Sequence, residues 1–302
     1  MLLTIKETGA NAPTLSWLLH KHPGKAQTFD LKHGKAHVFY PENDAESVQV
    51  ALLLDIDPVE LVRGRDKFTV AGHPLSQYVN DRPYAASSLL SVALNKVFGS
   101  AINGKCEGMR EAVDVVRNLE TQVSVASCHG GEDLLKRLFE PLGYTVETES
   151  MPLDTEFPEW GRSPYYDLTL KGSATLKDHL SHLYVLFPVL DNDKHYWVGE
   201  EEVEKLLRRG ESWLDAHPEK ELIMRRYLKN RGNLVNMALQ NLAEEEDPEA
   251  AYEAGEAAEM AVEKPISLHT RRLEAVHRAL KNSGSRTVID MGCGEGKLIK
   301  LL

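Results

Sequence analysis

The residues best placed to do chemistry stand near the carboxyl end of this 302-residue chain: Asp290, Gly292, Gly294 and Gly296, within Thr-Val-Ile-Asp-Met-Gly-Cys-Gly-Glu-Gly-Lys over 287–297. Val288 and Ile289 read as a buried strand, Asp290 as an acid at its carboxyl end, and the glycines as a turn into a helix. Glycine lets the backbone bend sharply and approach a ligand, and a helix start offers unpaired N–H groups. A doubly wound sheet opens a nucleoside-binding site in this way. The spacing is Gly-x-Gly-x-Gly and departs from the dinucleotide pattern Gly-x-Gly-x-x-Gly.

An acid two residues ahead of the first glycine resembles the first motif of S-adenosylmethionine-dependent methyltransferases. Asp290, Gly292, Gly294 and Gly296 are therefore the candidate cofactor-binding residues. Other constellations are weaker. Cys128-His-Gly-Gly-Glu-Asp sits at a strand-to-helix junction. Gly130-Gly131 makes the turn, and Glu132 and Asp133 favour a helix N-terminus by charge–dipole attraction, so a structural role is expected. Arg225-Arg-Tyr-Leu-Lys-Asn-Arg231 is the strongest basic cluster. It reads either as an RNA-phosphate contact with Tyr227 stacking or as a solvated helix face; Arg63-Gly-Arg65 is a weaker version. His179 and His182 have i,i+3 spacing with no acid or cysteine at a matching distance, so no metal site is assigned; His20 and His22 are no stronger. No Walker loop, Lys-x-Asp-Gly motif or Gly-x-Ser-x-Gly elbow occurs. The first 240 or so residues thus read as an interaction module with no catalytic residues.

The elements that must carry these residues divide the chain into four parts. Residues 1–120 read as a mixed α/β subdomain with helices. Met1–Glu7 is an edge strand and Asn11–His20 a short helix. Ala26–Leu31 and Lys35–Tyr40 form a hairpin through His33-Gly34, and Ser47–Asp55 is a central strand. Helices are expected over Pro74–Asn80, Tyr84–Phe98, where Leu89, Leu90, Ala93, Leu94, Val97 and Phe98 make one stripe, and Gly108–Leu119. Residues 121–241 read as a second subdomain. Its strands are Gln122–Ala126, Tyr144–Glu149, Tyr166–Leu170 and Tyr184–Leu190, with helices over Glu132–Glu140 and Leu176–Leu183. That order is the ferredoxin-like βαββαβ, followed by helices at Glu200–Arg208 and Pro218–Leu228. Residues 242–265 are an acidic linker: nine acids and one lysine lie between Ala243 and Lys264, too little apolar surface to fold alone. Residues 266–302 carry an amphipathic helix and then the first strand of a truncated Rossmann-like methyltransferase domain. The fold class is α+β.

Composition bounds the setting. Removing the linker's −8 from the net −11 leaves the rest near neutral. Three cysteines without metal-type spacing fit a reducing cytosol. No apolar run approaches the roughly 20 residues that span a bilayer. A cytoplasmic protein is expected.

The order of parts carries a resemblance. Tyr78-Val-Asn-Asp-Arg-Pro-Tyr-Ala-Ala-Ser-Ser, Tyr165-Tyr-Asp-Leu, the acidic linker, Leu268-His-Thr-Arg-Arg-Leu and the glycine motif together resemble the bacterial Hen-type small-RNA 3′-terminal ribose 2′-O-methyltransferases. Members of that family partner the bacterial polynucleotide kinase-phosphatase (Pnkp) in RNA repair. The resemblance implies S-adenosylmethionine and a divalent metal, manganese, as cofactors of the full-length protein, with a metal-binding Glu-Glu-x-x-His-His box downstream of the glycine motif. This sequence ends before that box. The expectation is a fragment without catalytic or metal-binding residues and without cofactor. It would dock on the ligase part of Pnkp in a hetero-oligomer, activate RNA sealing, and reach RNA through the complex. The alternatives are methyltransfer itself, which needs the full-length chain, and an RNA-binding module.

Overall fold

The computed structural model describes residues 1–32, 34–57, 86–106, 108–191, 200–228, 238, 268–284, 287–289, 291 and 296–302. Its frame is one antiparallel sheet of seven strands: β1 (Leu2–Thr8), β2 (Gln27–Leu31), β3 (Gly34–Asn43), β4 (Ser47–Ile56), β5 (Arg117–Ser127), β6 (Thr145–Glu149) and β7 (Tyr165–Ala174). They lie in the order β2-β3-β4-β1-β5-β7-β6. The helices are α1 (Leu15–Leu18), α2 (Ala86–Val97), α3 (Gly99–Ile102), α4 (Gly131–Phe139), α5 (Leu176–Asp191), α6 (Glu200–Gly210), α7 (Lys220–Tyr227) and α8 (Leu268–Ser283). The class is α+β, as the alternation of the strands and the stripe on α2 require.

Period-2 alternation assigns the two faces of the sheet. Leu3 and Ile5 of β1, Val48, Val50 and Leu52 of β4, and Leu168 and Leu170 of β7 are at most 1% exposed. They form one core with Leu90 and Leu94 of α2, Leu138 of α4, and Leu180, Leu183 and Phe187 of α5. Helices therefore sit on this face.

Several sequence expectations are corrected. Met1–Glu7 is no edge strand: β1 lies in mid-sheet, pairing β4 through Leu2↔Leu53 and β5 through Leu2↔Ser124. The boundary expected at 120/121 falls inside β5, so both sides of it share one sheet. Gly108–Leu119 is a 3-10 turn at Arg110–Ala112 followed by the start of β5. Tyr184–Leu190 is helical, the second half of α5, so the ferredoxin-like βαββαβ is not completed: the order is β5-α4-β6-β7-α5. Pro188 lies inside that helix. It has no N–H for the Tyr184 carbonyl, and Ser91 Oγ of α2 donates to that carbonyl instead, at 2.9 Å. The Pro74–Asn80 helix and the acidic linker at 242–265 lie outside the described residues.

One buried ion pair pins β1 to β5. Arg117 Nη1 donates to Glu7 Oε1 at 3.0 Å and Oε2 at 2.7 Å, and Nη2 to Thr14 Oγ1 at 2.9 Å. The two side chains are 1% and 2% exposed. Burial pushes the Glu7 carboxyl up, and the Arg117 guanidinium opposes that rise.

The β2–β3 hairpin depends on Gly34. Its φ is +138°, and a Cβ there would stand 2.1 Å from the Asp55 carbonyl oxygen. Gly34→Ala should destabilise the protein by about 1–3 kcal/mol, read as a lower urea midpoint with an unchanged m-value.

Candidate interaction surface

The glycine motif is only partly visible: Asp290, Gly292 and Gly294 lie outside the described residues. Gly296 has φ +68°. The preceding 287–289 form no strand, Ile289 is 88% exposed and Met291 92%. A methyltransferase cofactor loop is seated by a buried strand; the described residues 287–289 and 291 are exposed and form no such strand, and no chemistry is assigned to them.

The basic cluster turns inward. Arg225 and Arg226 are 1% and 0% exposed and Tyr227 is 1%. Arg226 Nη1 donates to the His129 carbonyl at 2.9 Å and the Val189 carbonyl at 3.1 Å. These residues tie α7 to the end of α5 and to the Cys128–Gly131 turn, and cannot meet RNA phosphates or stack on a base. Lys229–Arg231 and Arg63–Arg65 lie outside the described residues. At the turn, Cys128 is buried, its Sγ donating to the Gly131 carbonyl at 3.4 Å, while Gly130 and Gly131 take φ +145° and +76°. The turn is structural, as its glycines and acids suggest.

His179 and His182 are core residues that share one hydroxyl. Tyr144 Oη lies 2.9 Å from His179 Nδ1 and 2.8 Å from His182 Nδ1. A phenol donates one proton, so one imidazole accepts at Nδ1 and the other donates there. His179 Nε2 bonds Thr121 Oγ1 at 2.6 Å. Trp213 stands edge-on between His182 and His217. Burial lowers His179 to about 3 and His182 to about 4, so both are neutral at pH 7. Gly172 makes room for this group: a Cβ there would meet the Tyr144 ring at 2.6 Å. Among the described residues no cluster of His, Cys, Asp or Glu could hold a metal ion.

What remains is surface. The second face of the sheet carries the alternate residues, paired across strands in rows. Asp30, Lys35 and Asp55 form one row; Thr28, His37, Leu53, Leu2 and Ser124 the next. Phe39, Ala51, Thr4, Gln122, Thr169 and Glu147 form the third. Glu42, Gln49, Lys6, Glu120 and Lys171 form the fourth. Leu53 is 38% exposed, and Leu2 and Phe39 are half-buried. Ala51 and Thr4 between them are small and buried.

The rim is charged and ordered. Lys6 Nζ donates to Glu42 Oε2 at 2.7 Å and Lys171 Nζ to Glu147 Oε1 at 2.9 Å. The hydrogen bond to Glu42 raises Lys6, and that to Lys6 lowers Glu42; the bond to Glu147 raises Lys171. Pairs this exposed add little stability, but they fix the pattern of the face. The polar positions of the strands were the available sequence signal; which of them share a face follows only from the register. No described helix is long and apolar enough to cross a membrane.

Comparison with known proteins gives these features a setting. Residues 1–243 match a family model described as the RNA-repair, ligase-Pnkp-associating region of Hen1. A search of curated proteins found no match. A solved Pnkp1/Rnl/Hen1 complex contains a chain with 14% identity and a TM-score of 0.46, over 85% of this chain and 56% of that one. A solved Pnkp1/Rnl/Hen1 RNA repair complex has one with 13% identity and a TM-score of 0.42, over 99% of this chain and 66% of that one. The chain thus spans less than two thirds of the length of either.

Proposed function

This chain belongs to the family of the ligase-Pnkp-associating region of Hen1 in RNA repair, and on that footing we propose that it docks on the ligase part of a polynucleotide kinase-phosphatase and raises its RNA-sealing activity. The observation that carries this reading is the extent of the match. Residues 1–243 take in the whole sheet and the helices on it, the part of the chain with a built core. The chain then acts as one component of a hetero-oligomer and reaches RNA through its partner. The burial of Arg225 and Arg226 supports a protein contact over a direct RNA contact.

The test is to mix the full chain with the partner enzyme, follow complex formation by co-elution, and follow ligase adenylylation with labelled ATP. A stable complex and faster adenylylation are expected. Absence of both sinks the reading.

Methyltransfer is the second activity to test. S-adenosylmethionine is the cofactor that the Asp290–Gly296 motif resembles a site for, and the described residues Ile289 and Met291 beside it are exposed. Titration calorimetry of this chain with S-adenosylmethionine should give no binding heat; a micromolar Kd would overturn that expectation.

A further inference from the structure

We propose that the face of the sheet opposite the described helices is the surface on which the protein partner sits, and that it fits a partner patch that is apolar at its centre and basic at its rim. The inference rests on the docking reading above and deepens it.

A sheet covered on one side leaves its second face to water, and that face normally reads polar throughout. Here its centre does not: Leu2, Leu53 and Phe39 lie on adjacent rows of three neighbouring strands, with Ala51 and Thr4 between them. An apolar centre inside a polar rim is the anatomy of a protein interface. The rim gives the sign of the partner. Asp30, Glu42, Asp55, Glu120, Glu147 and Glu149 face outward on this side, against Lys6, Lys35 and Lys171. Two of those lysines are already held by Glu42 and Glu147, so the face keeps a net negative charge. That field repels phosphate and attracts a basic surface, raising the rate of encounter. An enzyme that handles RNA carries basic surface for its substrate. The occupant is therefore a protein with a basic patch, and not RNA.

Three full-length variants test this against the partner enzyme: Leu53→Glu in the apolar centre, Asp55→Lys/Glu120→Lys on the rim, and Trp17→Ala. Trp17 is 67% exposed on α1, which packs against β4 with Leu15 and Leu18 in the core. Far-ultraviolet spectra and urea midpoints check folding, and binding is measured at two salt concentrations. Leu53→Glu should weaken the complex by about tenfold or more. The double variant should slow association and flatten its salt dependence. Trp17→Ala should bind as wild type does. Folded face variants that bind as wild type does would overturn the inference and leave the docking reading standing. A wild-type chain that forms no complex would overturn both. Single-stranded RNA held by the wild type and released by the face variants, or a homodimer broken by Leu53→Glu, would also overturn it.

Discussion

Arg117→Ala should lower the stability of the fold by about 3–5 kcal/mol, because it strands a charge in the core. Glu7 is 2% exposed and has Arg117 as the cation against both its oxygens. The same guanidinium also satisfies the hydroxyl of Thr14 and the carbonyls of Asn11 and Ala112. Truncation therefore removes the donor to both Glu7 oxygens on β1 and to the Ala112 carbonyl on the approach to β5, while the Asn11 carbonyl keeps the Thr14 N–H and hydroxyl. Removing both charges is a different matter. Glu7→Leu/Arg117→Met keeps the volume and leaves no buried ion, so it should recover much of the loss. Urea unfolding of wild type and the single and double variants checks this. A loss below about 1 kcal/mol for Arg117→Ala would show that water reaches Glu7 and that the pair is not a core element.

Acidification from pH 7 to pH 5 should destabilise the protein by about 3–4 kcal/mol through His179 and His182 alone. Their pKa values are about 3 and about 4 in the folded chain and return to near 6.5 on unfolding. Between those limits the unfolded chain binds more protons, so stability is complete above pH 6.5. It falls with pH below that value and levels off near the folded values. His217, also lowered by burial, adds to the trend. The raised Glu7 carboxyl opposes it at lower pH. Urea midpoints between pH 8 and 4.5 read the slope. His182→Gln should remove one ionisation from it, about 1.4 kcal/mol per pH unit. A flat profile would mean that the histidines are hydrated.

The sequence was most legible where one face of an element is wet. The β2–β3 hairpin follows from alternation around His33-Gly34, and α4 from the acids after Gly130-Gly131. It misled where burial is on all sides. Tyr184–Leu190 is a β-prone run because α5 lies inside the helical layer, and a short all-apolar run has no period that separates strand from helix. Its proline is unfavourable inside a helix, and nothing local shows that Ser91 takes up the freed carbonyl of Tyr184. The start of β5 was hidden for the opposite reason. Its core side reads Arg117, Leu119, Thr121, Val123, and the arginine breaks the pattern until Glu7, 110 residues earlier, is seen to neutralise it. The same logic inverts Arg225 and Arg226, where charge suggested surface and the fold uses the guanidinium as a cross-brace. The sheet face opposite the described helices was the least legible, because its residues come from strands far apart in sequence and only register brings Leu2, Phe39 and Leu53 together.

The position of β1 also fixes the order of assembly. Its partner on one side ends at Ile56, but its partner on the other begins at Arg117. As the chain leaves the ribosome, the opening strand is a growing edge with half of its hydrogen bonds open until β5 has emerged. Closing so long a loop carries an entropic cost before the new strand contacts offset it. The first of the seven strands is therefore left with one open side from the emergence of β4 to that of β5, and a nascent chain halted in that interval would present an unpaired strand edge to chaperones or to its neighbours.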